Sequence, residues 1–135
     1  MEPRHAHFDG VHCKLDLEQP TPHVVVMRIS GSDTGEFGSA PMDALEAWLV
    51  ASRSVELFID ARDVRGASIE VSGEWALWLG RHHPQLRRVT MLTKSRFIQV
   101  TAEFVRRFSD LEGTMRICTE AEVFDRALAD ALAWR

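Results

Sequence analysis

Alternating apolar and polar residues near the start of the chain predict a half-buried strand. Residues 11–17 read VHCKLDL, which places Val11, Cys13, Leu15 and Leu17 on one face and polar side chains on the other. The turn EQPTP follows, and then HVVVMRIS, a β-branched run that is apolar on both faces, as in a central strand. We therefore expect a hairpin in which residues 11–17 form the edge strand of a sheet.

Three later apolar runs predict buried strands, and a helical period follows each of them. The runs are VELFID at 55–60, RVTMLT at 88–93 and TMRIC at 114–118, and a further helix begins after the glycine-rich segment 31–38. Ser39 and Ser95 are predicted to cap helices. The predicted buried stripes of the four helices are Met42, Leu45, Trp48 and Leu49; Val71, Trp75, Trp78 and His82; Phe97, Val100, Phe104, Val105 and Phe108; and Phe124, Ala127, Leu128, Ala131 and Leu132.

This order of elements predicts the fold class. Two strands, a helix and then three strand–helix units indicate one α/β domain over residues 1–135. We expect a mostly parallel five-stranded sheet with an antiparallel N-terminal edge strand, covered by four helices.

Composition narrows the classes of function. Apolar residues make up 45% of the 135 residues, and the formal charge of −4 gives no overall attraction to nucleic acid or anionic lipid. Cys13 and Cys118 match no zinc or redox spacing, which is typical of reduced thiols. No apolar leader and no run long enough for a membrane span is present, so a cytoplasmic protein is expected.

The stretch RGASIEVSGEW, residues 65–75, is predicted to connect a strand to a helix. A helix N-terminus stabilises an anion, so Ser68 and Ser72 are candidate phosphorylation sites or part of an anion-binding site. The alternative is that Ser68 or Ser72 only caps the helix and that Gly73 allows close packing.

Polar residues at two strand ends predict a binding rim. The carboxyl ends of parallel strands meet at one edge of a sheet, where open α/β sheets bind ligands. One lysine and one arginine there suit an anionic headgroup, although surface loops are generally polar. The candidate ligand-binding residues are Arg62, Asp63, Ser72, Gly73, Trp75, Trp78, Lys94 and Ser95.

Trp75 and Trp78 have two interpretations. They could line an apolar ligand cavity under the rim, or they could fill the core, because a stripe of large residues is usual on any covering helix. The pattern leaves both open.

No metal site or catalytic motif is predicted. His5, His7, His12 and Cys13 offer ligand atoms, but His12 and Cys13 point to opposite faces of a strand. The sequence has no P-loop, GxGxxG, GxSxG, HExxH or CxxC motif, and no cofactor is indicated.

The pieces VELFIDARDV and SGEWALWLGRHHPQLRRVTMLTKSRFI, with a hairpin before them, resemble the SpoIIAA-like family and the STAS domains of anti-sigma-factor antagonists. The resemblance implies a fold that is also compared with CRAL-TRIO lipid-binding domains. In the antagonists an Asp-Ser-Ser-Gly motif carries the phosphorylated serine. Here Glu70, Ser72 and Gly73 are the counterparts of its acidic residue, one serine and the glycine, but Val71 occupies the position of the phosphorylated serine.

From the residues and the resemblance together we expect a bacterial, non-catalytic regulatory or small-molecule-binding module whose ligand is amphiphilic. The alternative is a phospho-switched domain that binds a protein partner. An undetected enzyme using Asp60, Asp63 or Lys94 is a third interpretation. A homodimer is expected to form, if at all, through the edge strand at 11–17.

Overall fold

The computed structural model describes residues 3–52 and 54–133, which form a six-stranded sheet covered by four α-helices. The strands lie in the order β1-β2-β3-β4-β5-β6; the first three are antiparallel and the last four are parallel. A 3-10 turn precedes β5. The elements are β1 (Arg4–Asp9), β2 (Cys13–Thr21), β3 (Val24–Asp33), α1 (Ala40–Val50), β4 (Val55–Ala67), α2 (Ile69–His82), β5 (Leu86–Thr93), α3 (Arg96–Phe108), β6 (Met115–Cys118) and α4 (Ala121–Ala133).

The predicted fold class is confirmed, with one strand more than expected. The prediction that residues 11–17 form an edge strand is wrong, because β1 pairs with the outer side of β2. Val11 lies in the turn between them and is 86% exposed. The sequence signal for β1 is weak: in RHAHFD only Ala6 and Phe8 are apolar, and both pack against the core.

The two faces of the sheet carry different helices. Leu57 and Ile59 of β4 face a core shared with α1, α2 and α3. Phe58, between them in sequence, points to the other side, where its ring packs against Phe124 of α4 at 5.8 Å between centroids. Three helices therefore cover one face and a single helix covers the other.

The strand predicted at 55–60 extends to Ala67, so the supposed connector at 65–75 is mostly regular structure. Gly66 and Ala67 continue the parallel pairing with Ser32 and Asp33 of β3. Ser68 alone separates β4 from α2, and its Oγ accepts a hydrogen bond from the N–H of Val71 at 3.1 Å. The interpretation of Ser68 as a helix cap is confirmed, and Ser72 is an internal helical residue.

Of the two serines predicted as helix caps, Ser95 caps its helix with its side chain and Ser39 does not. Ser95 Oγ accepts from the N–H of Ile98 at 3.3 Å, as predicted for α3. Ser39 stands at the start of α1, but its hydroxyl donates to Asp43 Oδ2 and caps no backbone N–H.

The predicted buried stripe of α3 is largely wrong. Phe97, Val100, Phe104 and Phe108 are each more than 60% exposed, while Val105 is buried together with Ile98 and Ala102. The apolar arc of α3 is wider than the area that the sheet covers. Packing places the side with the smaller residues inward, which the periodicity alone does not reveal.

The carboxylate of Glu36 holds the turn between β1 and β2 through two hydrogen bonds. The backbone N–H groups of Val11 and His12 donate to the two carboxylate oxygens of Glu36, each at 2.8 Å. These hydrogen bonds, led by that of His12, lower the pKa of Glu36 although the side chain is solvated. Glu36 therefore joins the loop before α1 to the first hairpin.

We predict that Glu36→Gln lowers the free energy of unfolding at neutral pH and that the difference from the wild type shrinks at about pH 3. A carboxylate whose pKa is lower in the folded state contributes stability above its unfolded pKa, and this contribution is lost as the pH falls through the folded value. Urea unfolding at the two pH values measures it. Glu112→Gln, at an exposed site, is the control. An equal difference at both pH values would contradict the role of the charge.

Candidate functional site

An apolar cavity of about 100 Å³ lies between α2, α3 and the sheet. Its floor includes Met27, Ile59 and Met91 on three neighbouring strands. Only three of its lining residues are polar: Asp33, Ser72 and Thr101. An apolar pocket with a few polar groups is the usual form of a small-molecule site.

The two helices that wall the cavity contact each other near their C-terminal ends. Ser109, directly after α3, donates its hydroxyl to the backbone oxygen of Ala76 at 2.7 Å, and this hydrogen bond is buried. Gly80 lies beside the same serine, where a Cβ would be in ordinary van der Waals contact with Ser109 Cα at 3.7 Å. The cavity lies beside Ser72, Trp75 and Leu79 on α2 and beside Ile98, Thr101 and Val105 on α3.

The two tryptophans of α2 have different environments. Trp75 is half-buried and forms part of the cavity wall. Trp78 is 1% exposed, belongs to the main core and does not line the cavity. Their rings meet edge to face at 5.8 Å between centroids, and Trp78 also contacts the ring of His82. Trp75 therefore lines a cavity, and Trp78 fills the core.

We predict that Trp78→Ala destabilises the fold by about 3–5 kcal/mol, because a fully buried indole leaves a large void. Trp75→Ala removes a wall that already borders empty space, so its cost is expected to be clearly smaller. Urea unfolding of the two variants, followed by circular dichroism, gives the comparison. Equal losses of stability would show that Trp75 is as much a core residue as Trp78.

An acidic side chain that the sequence analysis did not single out borders the cavity. Asp33, at the end of β3, is 8% exposed, and its Oδ1 accepts from the N–H of Gly35 at 3.1 Å. Its backbone oxygen accepts from the N–H of Ser68, which ties the end of β3 to the cap of α2. The available signal was its place in the glycine-rich segment directly after a central strand. The cavity thus has a hydrogen-bond acceptor at one wall.

Arg62 and Asp63 lie away from this cavity. Arg62 Nε donates to Asp60 Oδ1 at 2.9 Å and its NH2 group donates to Asp125 Oδ1 of α4 at 2.7 Å. These partners raise the pKa of Arg62. Asp63 is exposed and borders a polar groove that also includes Lys14. The expected convergence of Arg62 with the tryptophans is wrong, since Arg62 faces the α4 side of the sheet.

The other predicted ligand residues lie along the N-terminal parts of α2 and α3. Ser72 lines the cavity, and Gly73 is partly exposed on α2. Lys94 is exposed and Ser95 is occupied as the cap of α3; neither lines the cavity. The structure therefore brings together Ser72 and Trp75 and leaves the predicted cations outside.

The histidines and cysteines near the start of the chain are separated by the sheet geometry. His5 and His7 hydrogen-bond the same oxygen of Asp16, His12 is exposed in the turn, and Cys13 is buried. Burial, with Asp33 and Glu36 nearby, raises the pKa of Cys13 to about 11, which disfavours its reactive thiolate. Within residues 3–52 and 54–133, no group of three or more His, Cys, Asp or Glu side chains has an arrangement that could hold a metal ion.

Comparison with known proteins places this architecture in a family. The family model described as SpoIIAA-like matches residues 24–134. The chain belongs to the SpoIIAA-like family. The match spans the parallel part of the sheet, the cavity and all four helices. A comparison with curated proteins found no significant match.

Solved structures share the fold. A protein of Shewanella loihica with a SpoIIAA-like fold is 14% identical, with a TM-score of 0.64 over 91% of this chain and 99% of that chain. The anti-sigma factor antagonist SpoIIAA in its unphosphorylated form is 21% identical, with a TM-score of 0.52 over 85% of this chain and 96% of that one. SpoIIAA of Bacillus in its phosphorylated form, a cell fate determinant, is 21% identical, with a TM-score of 0.53 over 84% and 98%. Among the described residues, no helix has the length and apolar character needed to cross a membrane.

Proposed function

We propose that this SpoIIAA-like domain is a non-catalytic binding module that holds the apolar end of an amphiphilic small molecule between α2, α3 and the sheet. The observation that supports this most directly is the cavity itself, which is apolar except for three side chains. A void of about 150 Å³ with apolar walls is enough to bind benzene, so this smaller one suits a few carbon atoms of a short chain or ring.

The polar end of such a ligand would meet Asp33, Ser72 and Thr101, the three polar side chains at the cavity. The sequence favoured an anionic headgroup because of Arg62 and Lys94. The carboxyl group of Asp33 instead favours a headgroup that donates hydrogen bonds to it, such as a hydroxyl or an amine. An anionic headgroup would be repelled by the carboxylate of Asp33.

Three probes with the same six-carbon chain test this choice: hexylamine, hexanol and hexanoate. A ligand that binds only the folded state raises the melting temperature, so the shift ranks their affinities. We expect shifts for the amine and the alcohol and a smaller shift, or none, for hexanoate. The largest shift for hexanoate would reject the headgroup choice while supporting use of the cavity.

The matched variant fills the cavity. Ala102 is buried on α3 and lines it, so Ala102→Leu places new carbon atoms in the empty space and should remove the probe-induced shift. Ala127→Leu on α4 is the control, because Ala127 lies on the other face of the sheet. Equal shifts for Ala102→Leu and the wild type would mean that the probes bind elsewhere, and the capture proposal would fail.

A second candidate is a phospho-switched domain that binds a protein partner, as the fold shared with anti-sigma factor antagonists suggests. Ser68 is the better acceptor by position, because it stands at the N-terminus of α2, where added negative charge is stabilised. Ser72 faces the cavity from inside the helix, so a phosphate there would have to enter an apolar space.

We predict that phosphate, if the native host adds one, maps to Ser68. Mass spectrometry of protein purified from that host, first native and then denatured, reports both a noncovalent ligand and a covalent phosphate. Ser68→Ala and Ser68→Asp form the matched pair, since aspartate retains a cap and adds charge while alanine does neither. Phosphate at Ser72 with Ser68 unmodified would contradict the assignment.

A further inference from the structure

The solvent side of α3 carries an exposed apolar stripe. It consists of Phe97, Val100, Phe104 and Phe108, whose exposed fractions lie between 61% and 63%. These residues recur at helical spacing over about 16 Å, and the rings of Phe104 and Phe108 stack at 5.6 Å between centroids. Large apolar side chains that share one exposed face mark an interaction surface.

Helix α2, which packs beside α3, also exposes large apolar side chains. Ile69 and Leu77 are 86% and 60% exposed. With the four residues of the α3 stripe they make up six of the nine large apolar side chains that are exposed in the described part of the chain. The stripe faces solvent, whereas the cavity lies on the sheet side of α3, so the two features are separate.

The charge of α3 sets it apart from the other helices. It contains three arginines and one glutamate, a formal charge of +2, in a chain whose net charge is −4. The other three α-helices each carry a negative formal charge when histidine is counted as neutral. Arg96 and Arg107 are exposed beside the stripe, and Lys94 is exposed just before the helix. The aromatic face therefore lies on the one α-helix that attracts anions.

We propose that the α3 stripe docks on an anionic lipid surface, with its phenylalanines at the boundary between headgroups and acyl chains and its cations on the headgroups. A charged helix with one strongly apolar face and phenylalanine on that face is the form that lies in a membrane interface. Each basic residue near such a surface contributes about a fivefold gain in affinity.

A second copy of the chain fits the stripe less well. Antiparallel packing of two α3 helices through their stripes would place Arg96 of each copy beside Arg107 of the other. Like charges in close contact oppose such a pairing. The charges of Arg96 and Arg107 therefore favour an anionic surface over an identical helix as the partner of the stripe.

Cosedimentation with vesicles tests the proposal. One set is phosphatidylcholine alone, and in the other about a third of the lipid is phosphatidylglycerol. We expect the wild type to bind the anionic set, to bind less as salt is raised, and to bind the neutral set weakly. Phe104→Gln should lower the affinity about tenfold or more. Val50→Gln, at a still more exposed apolar site on α1, should leave the affinity unchanged.

A charge series completes the test. Arg96→Gln with Arg107→Gln should lower the affinity for anionic vesicles about 25-fold. Arg126→Gln, at an exposed arginine of α4, should have little effect. The proposal is overturned if the wild type binds neither set, if it binds both sets equally, or if Phe104→Gln behaves as Val50→Gln does. A wild-type dimer that Phe104→Gln converts to a monomer in sedimentation equilibrium would also overturn it, in favour of a second copy.

Discussion

The cavity and its walls depend on the parallel pairing of β3 with β4, which continues to the very ends of both strands. Asp33 lies opposite Ala67, and its backbone oxygen holds the N–H of Ser68, the residue that caps α2. The first turn of α2 is therefore fixed to the sheet by a hydrogen bond from the cap itself. Because α2 cannot shift at this end without breaking that bond, Ser72 and Trp75 are held against the sheet at a constant position.

The middle of the same helix is held by a different contact. The hydroxyl of Ser109, directly after α3, donates a buried hydrogen bond to the backbone oxygen of Ala76 in α2. An unpaired buried acceptor is costly, so this hydrogen bond favours the arrangement in which α2 and α3 meet there. The end of α3 is thus fixed to α2, and the cavity lies between these two helices and the sheet.

Much of this fold could be predicted from the sequence, because strong patterns coincide with real elements. The β-branched run before Asp33 and the run VELFID were predicted as central strands and are central strands in the structure. Ser95 was predicted as a cap and is one, and Ser68 was one of the two serines considered as the cap of α2. The strand β1 was missed because RHAHFD places only two apolar residues toward the core. The extension of β4 to Ala67 was missed because polar and glycine residues there are held by pairing with β3, which is a long-range effect.

The candidate site was predicted only in part for the same kind of reason. Ser72 and Trp75 share a helix, so local periodicity places both on the cavity side. Arg62 was misplaced because which face a strand residue occupies depends on the register and on the helix that covers each face. Asp33 was missed because its importance comes from two hydrogen bonds to residues outside its own strand. Residues whose roles follow from local spacing are predictable, and residues whose roles follow from tertiary pairing are not.

Helix α3 has more apolar surface than the fold can cover, and this excess has a physical consequence. Burial of Ile98, Ala102 and Val105 is sufficient to attach the helix to the sheet. The four larger residues outside that contact keep more than 60% of their surface exposed, and apolar area left in water is unfavourable. In the proposed docking, these side chains would leave water at a lipid surface, and the exposed arginines beside them would meet its anionic headgroups.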